Sequence, residues 1–140
     1  MTEQHWEHFR HEADIGVRGY GRTIAEAFEQ TALAMTAVIV HPGSVALREK
    51  IDITVSAPDR EILLTEWLNA LIYEMATRSM LFGRFRVEIV DNDLYGQAWG
   101  EPIDMPRHCP TVEIKGATFT ELAVSRRGEG SWVAQCVVDV

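Results

Sequence analysis

The sequence predicts an α+β domain, a two-layer sandwich in which two helices lie on one face of a largely antiparallel sheet of six or seven strands. Two segments carry apolar residues at helical spacing, the other apolar residues fall into short alternating runs, and short turns join most of those runs. The 140 residues are 46% hydrophobic and 24% charged, with no repeat and no Gly- or Pro-rich linker. We therefore expect a single domain over residues 1–140.

The first elements are a strand from Trp6 to His11 and then a helix. Thr23 and Glu26 form a capping box, in which Thr23 accepts from the amide of Glu26 and Glu26 reaches back. Apolar residues follow at three- and four-residue spacing until residues 41–44, His-Pro-Gly-Ser, end the pattern. This helix is predicted to bury its apolar face in the core.

The second helix is predicted from about Asp59 to Arg78. Residues 56–59, Ser-Ala-Pro-Asp, are a helix-entry signal, and the strand before them alternates Ile51, Ile53 and Val55 with polar residues. The remaining apolar runs predict strands over residues 85–89, 94–99, 112–118, 122–124 and 132–140.

Charge and composition exclude several classes of protein. The chain has 13 Lys and Arg against 21 Asp and Glu, a net charge of −8, which argues against strong direct binding of nucleic acid. It shows neither a signal peptide nor an apolar run of about 18 residues, so we expect a cytoplasmic protein that does not span a membrane. Cys109 and Cys136 have no CxxC partner and are expected to be free thiols. Common nucleotide-binding, hydrolase and EF-hand motifs are missing.

Three histidines, His5, His8 and His11, precede Asp14 at intervals of three. On a helix this spacing would line one face with metal ligands. The segment alternates as a strand does, however, and residues three apart on a strand point to opposite faces. We therefore predict ordinary surface or hydrogen-bonded histidines rather than a joint metal site.

Acidic residues near the two ends of the chain form a candidate cation site. Asp14 lies in a tight bend flanked by apolar residues, where it could also be a plain turn residue. Asp139 ends an apolar strand, and Val140 adds main-chain oxygens and a free α-carboxylate. If the two segments meet, the repulsion between their carboxylates would be relieved by a hard cation such as Ca²⁺ or Mg²⁺.

Two further groups of polar residues have open interpretations. Glu101, Asp104 and His108 lie in a polar loop and could serve as acid and base in a metal-dependent hydrolase, although no nucleophile or phosphate loop accompanies them. Glu113 and Lys115 share one face of a predicted strand. Either they form a weak ion pair with each other, or Lys115 presents its positive charge to a partner.

Several of these blocks, in this order, resemble the archease family, a group of small partner proteins of the RNA-splicing ligase. The resemblance covers nearly the whole chain. The matching blocks are Phe9-x-His11-x-Ala13-Asp14-Ile15-Gly16, Gly19-x-Gly21-x-Thr23-x-x-Glu26-Ala27-Phe28, Leu64-x-x-Trp67-Leu68-Asn69-x-Leu71-Ile72-Tyr73, Gly100-Glu101 with Arg107-His108, Glu113-Ile114-Lys115-x-Ala117-Thr118, and Asp139-Val140. Gly116, Phe119 and Thr120 depart from the more aliphatic and Tyr-His-like continuation expected in the family.

The resemblance implies a non-catalytic activator that helps a GTP-dependent RNA-splicing ligase become guanylylated and turn over repeatedly, in tRNA splicing and RNA repair. It implies that Asp14, Asp139 and a main-chain oxygen of Val140 bind a divalent cation, Ca²⁺ in the family, with Mg²⁺ and Mn²⁺ as alternatives. It also implies that Lys115 faces the ligase, and we expect the same of His11 and Glu101. The alternatives are the hydrolase and a chaperone-like scaffold, which a large exposed apolar patch would favour.

Overall fold

A computed structural model of the protein describes residues 4–140, which form eight strands and three α-helices. The strands are β1 (His5–His11), β2 (Asp14–Gly21), β3 (Glu49–Ser56), β4 (Met80–Val90), β5 (Asp93–Pro102), β6 (Gly116–Ala117), β7 (Ala123–Arg126) and β8 (Trp132–Asp139). The helices are α1 (Ile24–Ile39), α2 (Arg60–Arg78) and the short α3 (Met105–His108), and a 3-10 turn covers Pro42–Ser44. No helix in the described range is long and apolar enough to cross a membrane.

All strand pairs are antiparallel, which confirms the predicted α+β class. The strands are divided between two sheets instead of forming the single predicted one. A five-stranded sheet has the order β1-β2-β8-β6, with β7 also paired to β8, and a three-stranded sheet has the order β3-β5-β4. In the three-stranded sheet the alternation is as expected, with Ile51 and Ile53 buried and Asp52 exposed.

Helix α1 separates the two sheets because its polar side chains cover the free edge of β4. The carboxylate of Glu29 accepts a hydrogen bond from the main-chain N–H of Val87 at 2.8 Å. The hydroxyl of Thr36 donates to the carbonyl oxygen of Phe82 at 2.9 Å. Because α1 supplies the hydrogen-bond partners of these two main-chain groups, this edge of β4 does not pair with another strand there.

Both long helices begin where the sequence predicts. The hydroxyl of Thr23 accepts from the N–H of Glu26 at 3.1 Å, and the carboxylate of Asp59 accepts from the N–H of Ile62 at 2.9 Å. Side chains of this type satisfy N–H groups that have no partner within the first turn, so they fix the helix start.

The two sheets and the helices enclose one hydrophobic core. Helix α1 approaches β2 at Gly19, where a Cβ atom would collide with the main chain of Ala27 and Thr31. Helix α2 packs on the three-stranded sheet through Trp67, which is fully buried and meets the backbone of Gly96. Both predicted helical stripes are therefore core-facing.

The segment before β6 differs from the strand predicted over residues 112–118. Only Gly116–Ala117 pairs in strand register, and Thr111, just before the predicted strand, is hydrogen-bonded to the end of α1. The main-chain N–H and the hydroxyl of Thr111 both donate to the carbonyl oxygen of Ile39, at 3.0 and 3.2 Å. These hydrogen bonds hold the residue just before the predicted strand at the end of α1, and strand pairing with β8 is confined to Gly116 and Ala117.

Candidate functional site

Asp14 lies at the end of a tight hairpin between β1 and β2. Glu12 and Ala13 form the two-residue turn, and Glu12 adopts the left-handed conformation with φ of 54°. His11 and Asp14 are paired across this turn. The predicted bend is therefore present, and it directs Asp14 to the corner of the five-stranded sheet.

The pairing of β2 with β8 brings the two ends of the chain together at this corner. Ile15 is opposite Val138, so that Asp14 and Asp139 follow at the next position on adjacent strands. The main-chain N–H of Val140 donates to Oδ1 of Asp14 at 3.4 Å, a long hydrogen bond between residues 126 positions apart. The three residues predicted to form a cation site are thus neighbours in the fold.

The donors at this corner suit a hard cation. Asp14 is half-buried and Asp139 is exposed, and carboxylate and main-chain oxygens are the ligands that Ca²⁺ and Mg²⁺ prefer. Within residues 4–140 no set of three or more His, Cys, Asp or Glu side chains is arranged to hold a metal. The residues therefore fit a cation that takes its remaining ligands from water, and they do not fit a zinc site made of side chains alone.

Strand β6 places Lys115 next to this corner. Gly116 pairs with Asp139, and the main-chain N–H of Lys115 donates to the carbonyl oxygen of Asp139 at 2.7 Å. The Lys115 side chain is exposed and forms no ion pair with Glu113 or with either aspartate of the corner. Its ammonium group is available to a partner.

The histidines of β1 do not form a joint site, because β1 is a strand. Nε2 of His8 lies 2.7 Å from the carbonyl oxygen of Ala34 on α1, whereas His5 stacks on Tyr20 with ring centroids 4.3 Å apart. His11 is half-buried at the hairpin, beside Asp14.

Glu101 and His108 form a buried polar network in place of an open active site. Glu101 is 1% exposed and lies 2.6 Å from the guanidinium of Arg107, and it accepts a hydrogen bond from the N–H of Ala46 at 2.7 Å. These two contacts, led by Arg107, lower the pKa of Glu101 to about 2. The Arg107 side chain, which contacts the Glu101 carboxylate, is 47% exposed.

The orientation of the His108 ring is set by its two hydrogen-bond partners. The N–H of Asp104 donates to Nδ1 of His108 at 2.8 Å, so the ring proton is on Nε2, which donates to Glu101 at 2.9 Å. Both ring nitrogens of His108 are thus occupied by hydrogen bonds. A carboxyl with a pKa near 2, such as that of Glu101, is a poor acid or base at neutral pH. Asp104 caps α3 by accepting from the N–H of Arg107 at 3.2 Å. This geometry argues against the hydrolase interpretation.

Asn69 is a residue whose role the sequence analysis did not identify. Its side-chain oxygen accepts a hydrogen bond from the N–H of Ala117 in β6 at 2.9 Å. The available signal was an exposed Asn in the interior of a helix, where this residue is disfavoured because its side chain competes for backbone hydrogen bonds.

Fold and site together define a small α+β protein with paired carboxylates and an exposed lysine at one corner of a sheet. Residues 6–140 match the sequence profile of the Archease protein family (MTH1598/TM1083). The chain belongs to the archease family.

Relatives support this assignment over almost the full length. The chain is 42% identical over 139 residues to the protein archease of Pyrococcus furiosus, covering 96% of this chain and 98% of that protein. It is 39% identical over 139 residues to the protein archease of Thermococcus gammatolerans, with the same coverage of 96% and 98%.

Two solved structures have the same fold. The solution structure of protein 1598 from Methanobacterium thermoautotrophicum matches with a TM-score of 0.84 and 32% identity, covering 96% of this chain and 98% of that one. An archease from Thermotoga maritima, described as a possible chaperone, matches with a TM-score of 0.62 and 19% identity, covering 96% of this chain and 99% of that one. At 19% identity the second likeness concerns the fold alone.

Proposed function

We propose that this protein is a cytoplasmic, non-catalytic activator of a GTP-dependent RNA-splicing ligase that acts in tRNA splicing and RNA repair. Membership of the archease family supports the proposal. The observation that carries it is the meeting of Asp14, Asp139 and Val140 at one corner of the five-stranded sheet. A protein with a net charge of −8 is suited to contact the ligase rather than the RNA itself.

In this proposal the corner holds a divalent cation, with Ca²⁺ as the first choice and Mg²⁺ or Mn²⁺ as alternatives. Asp14 and Asp139 supply carboxylate oxygens, and Val140 supplies a main-chain oxygen. A bound cation would neutralise phosphate charge during transfer of the nucleotide to the ligase. The protein's own contribution is to hold two like charges close together on adjacent strands, so that a cation relieves their repulsion.

The ligase would bind over the same corner. Lys115 offers an exposed ammonium to a carboxylate or phosphate of the partner, and His11 flanks Asp14 on the other side. Glu101 would act indirectly, by holding the exposed guanidinium of Arg107 in place.

The proposal is tested by multiple-turnover RNA ligation with the ligase of the same organism, GTP and Mn²⁺, with and without the protein. We expect the wild-type protein to increase the number of turnovers and Asp14→Ala or Asp139→Ala to abolish the increase while the circular dichroism spectrum is unchanged. Asp52→Ala, an exposed aspartate on the three-stranded sheet, is the matched control and should activate fully. Full activation by either corner variant would disprove the proposed site.

A chaperone-like role is the second candidate, and the feature that bears on it is an apolar groove of about 420 Å³ between α2 and residues 103–114. Ile72, Met75 and Val112 are among its lining residues. A groove of this size accepts one or two apolar side chains, in contrast to the broad apolar surface that a general chaperone exposes. Light scattering from an unrelated aggregating protein should therefore be unaffected by equimolar addition of this chain, and strong suppression would favour the chaperone role.

A further inference from the structure

Strand β6, which leads directly from Lys115, is held by hydrogen bonds on both of its edges. On one side, the N–H of Lys115 donates to Asp139 at 2.7 Å and the N–H of Thr118 donates to Val137 at 3.0 Å. Between these two points, the N–H of Ala117 donates to Asn69 on α2 at 2.9 Å. The strand is therefore fastened to β8 at both ends and to a helix in the middle.

The contact with Asn69 matters because β6 has only two residues and the segment before it is not paired with β8 as a strand. Such a short edge strand has little backbone pairing of its own, and local openings of this kind have low free energies. Its position beside Asp139 then depends on these hydrogen bonds together with the buried side chain of Ile114, which precedes Lys115. The Asn69 side chain is the helix's direct polar link to this strand.

The two residues before Asn69 on α2 differ from it in burial. Trp67 and Leu68 are fully buried and pack in the core, whereas Asn69 is exposed. A leucine or alanine would be a better helix former at an exposed position. At position 69 the lower helix propensity of asparagine is accompanied by a specific side-chain contact, the hydrogen bond from the N–H of Ala117.

We propose that Asn69 is a positioning residue, which acts through the main chain of Ala117 to hold Lys115 beside the Asp14 and Asp139 corner. The inference deepens the proposed function and rests on it. Asn69 itself need not touch the ligase, the cation or the nucleotide. Its effect is to keep the main chain at Lys115 in one place, so that the partner does not have to order β6 on binding.

The test compares substitutions that remove or keep the acceptor oxygen. Asn69→Leu keeps the branched shape and the number of side-chain heavy atoms but has no acceptor, and Asn69→Asp keeps an oxygen at the same position. Glu66→Leu, at an exposed position on the same helix, controls for the introduction of leucine. The first measurement is the hydrogen exchange rate of the Ala117 amide by NMR, which should rise about fivefold in Asn69→Leu, as expected for one lost hydrogen bond.

The second measurement is the increase in ligase turnover. We expect Asn69→Leu to lower it about fivefold, and Asn69→Asp and Glu66→Leu to stay close to wild type. In a Lys115→Ala background, Asn69→Leu should cause no further loss, because the residue that it positions is already missing. A purely structural role would lower activity in both backgrounds.

The possible failures are distinguishable. If wild-type protein does not change ligase turnover, the proposed function is wrong. If wild-type protein activates and Asn69→Leu activates equally well, or if Asn69→Asp loses as much as Asn69→Leu, the inference about Asn69 is wrong and the proposed function stands.

Discussion

The packing of α2 on the three-stranded sheet predicts a measurable coupling between Gly96 and Trp67. A Cβ atom added at Gly96 would lie 2.8 Å from Cη2 of Trp67 and closer still to Cζ3. Both atoms belong to the six-membered ring of the indole, which is fully buried. Because packed interiors have no room for an added methyl group, Gly96→Ala should lower the free energy of unfolding by about 1–3 kcal/mol.

Trp67→Phe removes the two atoms that would collide with the new methyl group. On its own this substitution should cost about 2–3 kcal/mol, because it leaves a void and loses the 3.3 Å hydrogen bond from the indole N–H to the carbonyl oxygen of Phe28. In the Trp67→Phe background, however, Gly96→Ala should cost less than about 0.5 kcal/mol, a coupling energy of about 1–2 kcal/mol.

The assay is equilibrium urea unfolding of the four proteins at pH 7, followed by far-ultraviolet circular dichroism, which does not depend on the altered tryptophan. Trp99→Phe is the control background. Trp99 is on the same strand as Gly96 and half-buried at the opposite face, under Arg84, so its combination with Gly96→Ala should be additive. Additive effects of Gly96→Ala and Trp67→Phe, within about 0.5 kcal/mol, would refute the packing described here.

Three further predictions follow from the buried network, the thiols and the acidic corner. Glu101 has a pKa of about 2, so above pH 4.5 its ionised form contributes stability that is lost as the pH falls towards 2. Glu101→Gln should therefore lower the urea midpoint at pH 7, and the difference from wild type should be smaller at pH 3. Ellman's reagent should modify exposed Cys109 rapidly and leave Cys136 unmodified until the protein unfolds, because burial raises the pKa of the Cys136 thiol to about 12. Calcium at 100 times its dissociation constant should stabilise the wild-type protein by about 2.7 kcal/mol in the same urea assay, and Asp14→Asn should abolish this gain.

Local sequence patterns predicted the two long helices and most strand positions, because caps and periodicity act over a few residues. Thr23 and Asp59 are the observed N-caps. The division into two sheets could not be predicted in this way. It depends on Glu29 and Thr36 reaching across from α1 to the edge of β4, and those contacts join residues 58 and 46 positions apart.

The arrangement of the candidate site could not be predicted from local sequence patterns either. The patterns around Asp14 and Asp139 indicated one acidic residue in a tight bend and another at the end of an apolar strand, but only the register between β2 and β8 makes them neighbours. That register is set by which side chains are buried on both strands, a property of the whole sheet. The network around Glu101 likewise depends on the main-chain N–H of Ala46, which is 55 positions away in the sequence. A contact made by the main chain is not marked by any particular residue type in the sequence.

The proposed activation of the ligase is tested most directly by the rate at which the ligase of the same organism becomes covalently guanylylated by labelled GTP. The reaction is followed with no addition, with the wild-type protein, and with Asp14→Ala or Asp139→Ala, each first shown to be folded. We expect the wild-type protein to accelerate formation of the ligase–GMP adduct and the two variants to leave the rate at its unassisted value. Equal rates with and without the wild-type protein, or full acceleration by either variant, would contradict the proposed activation.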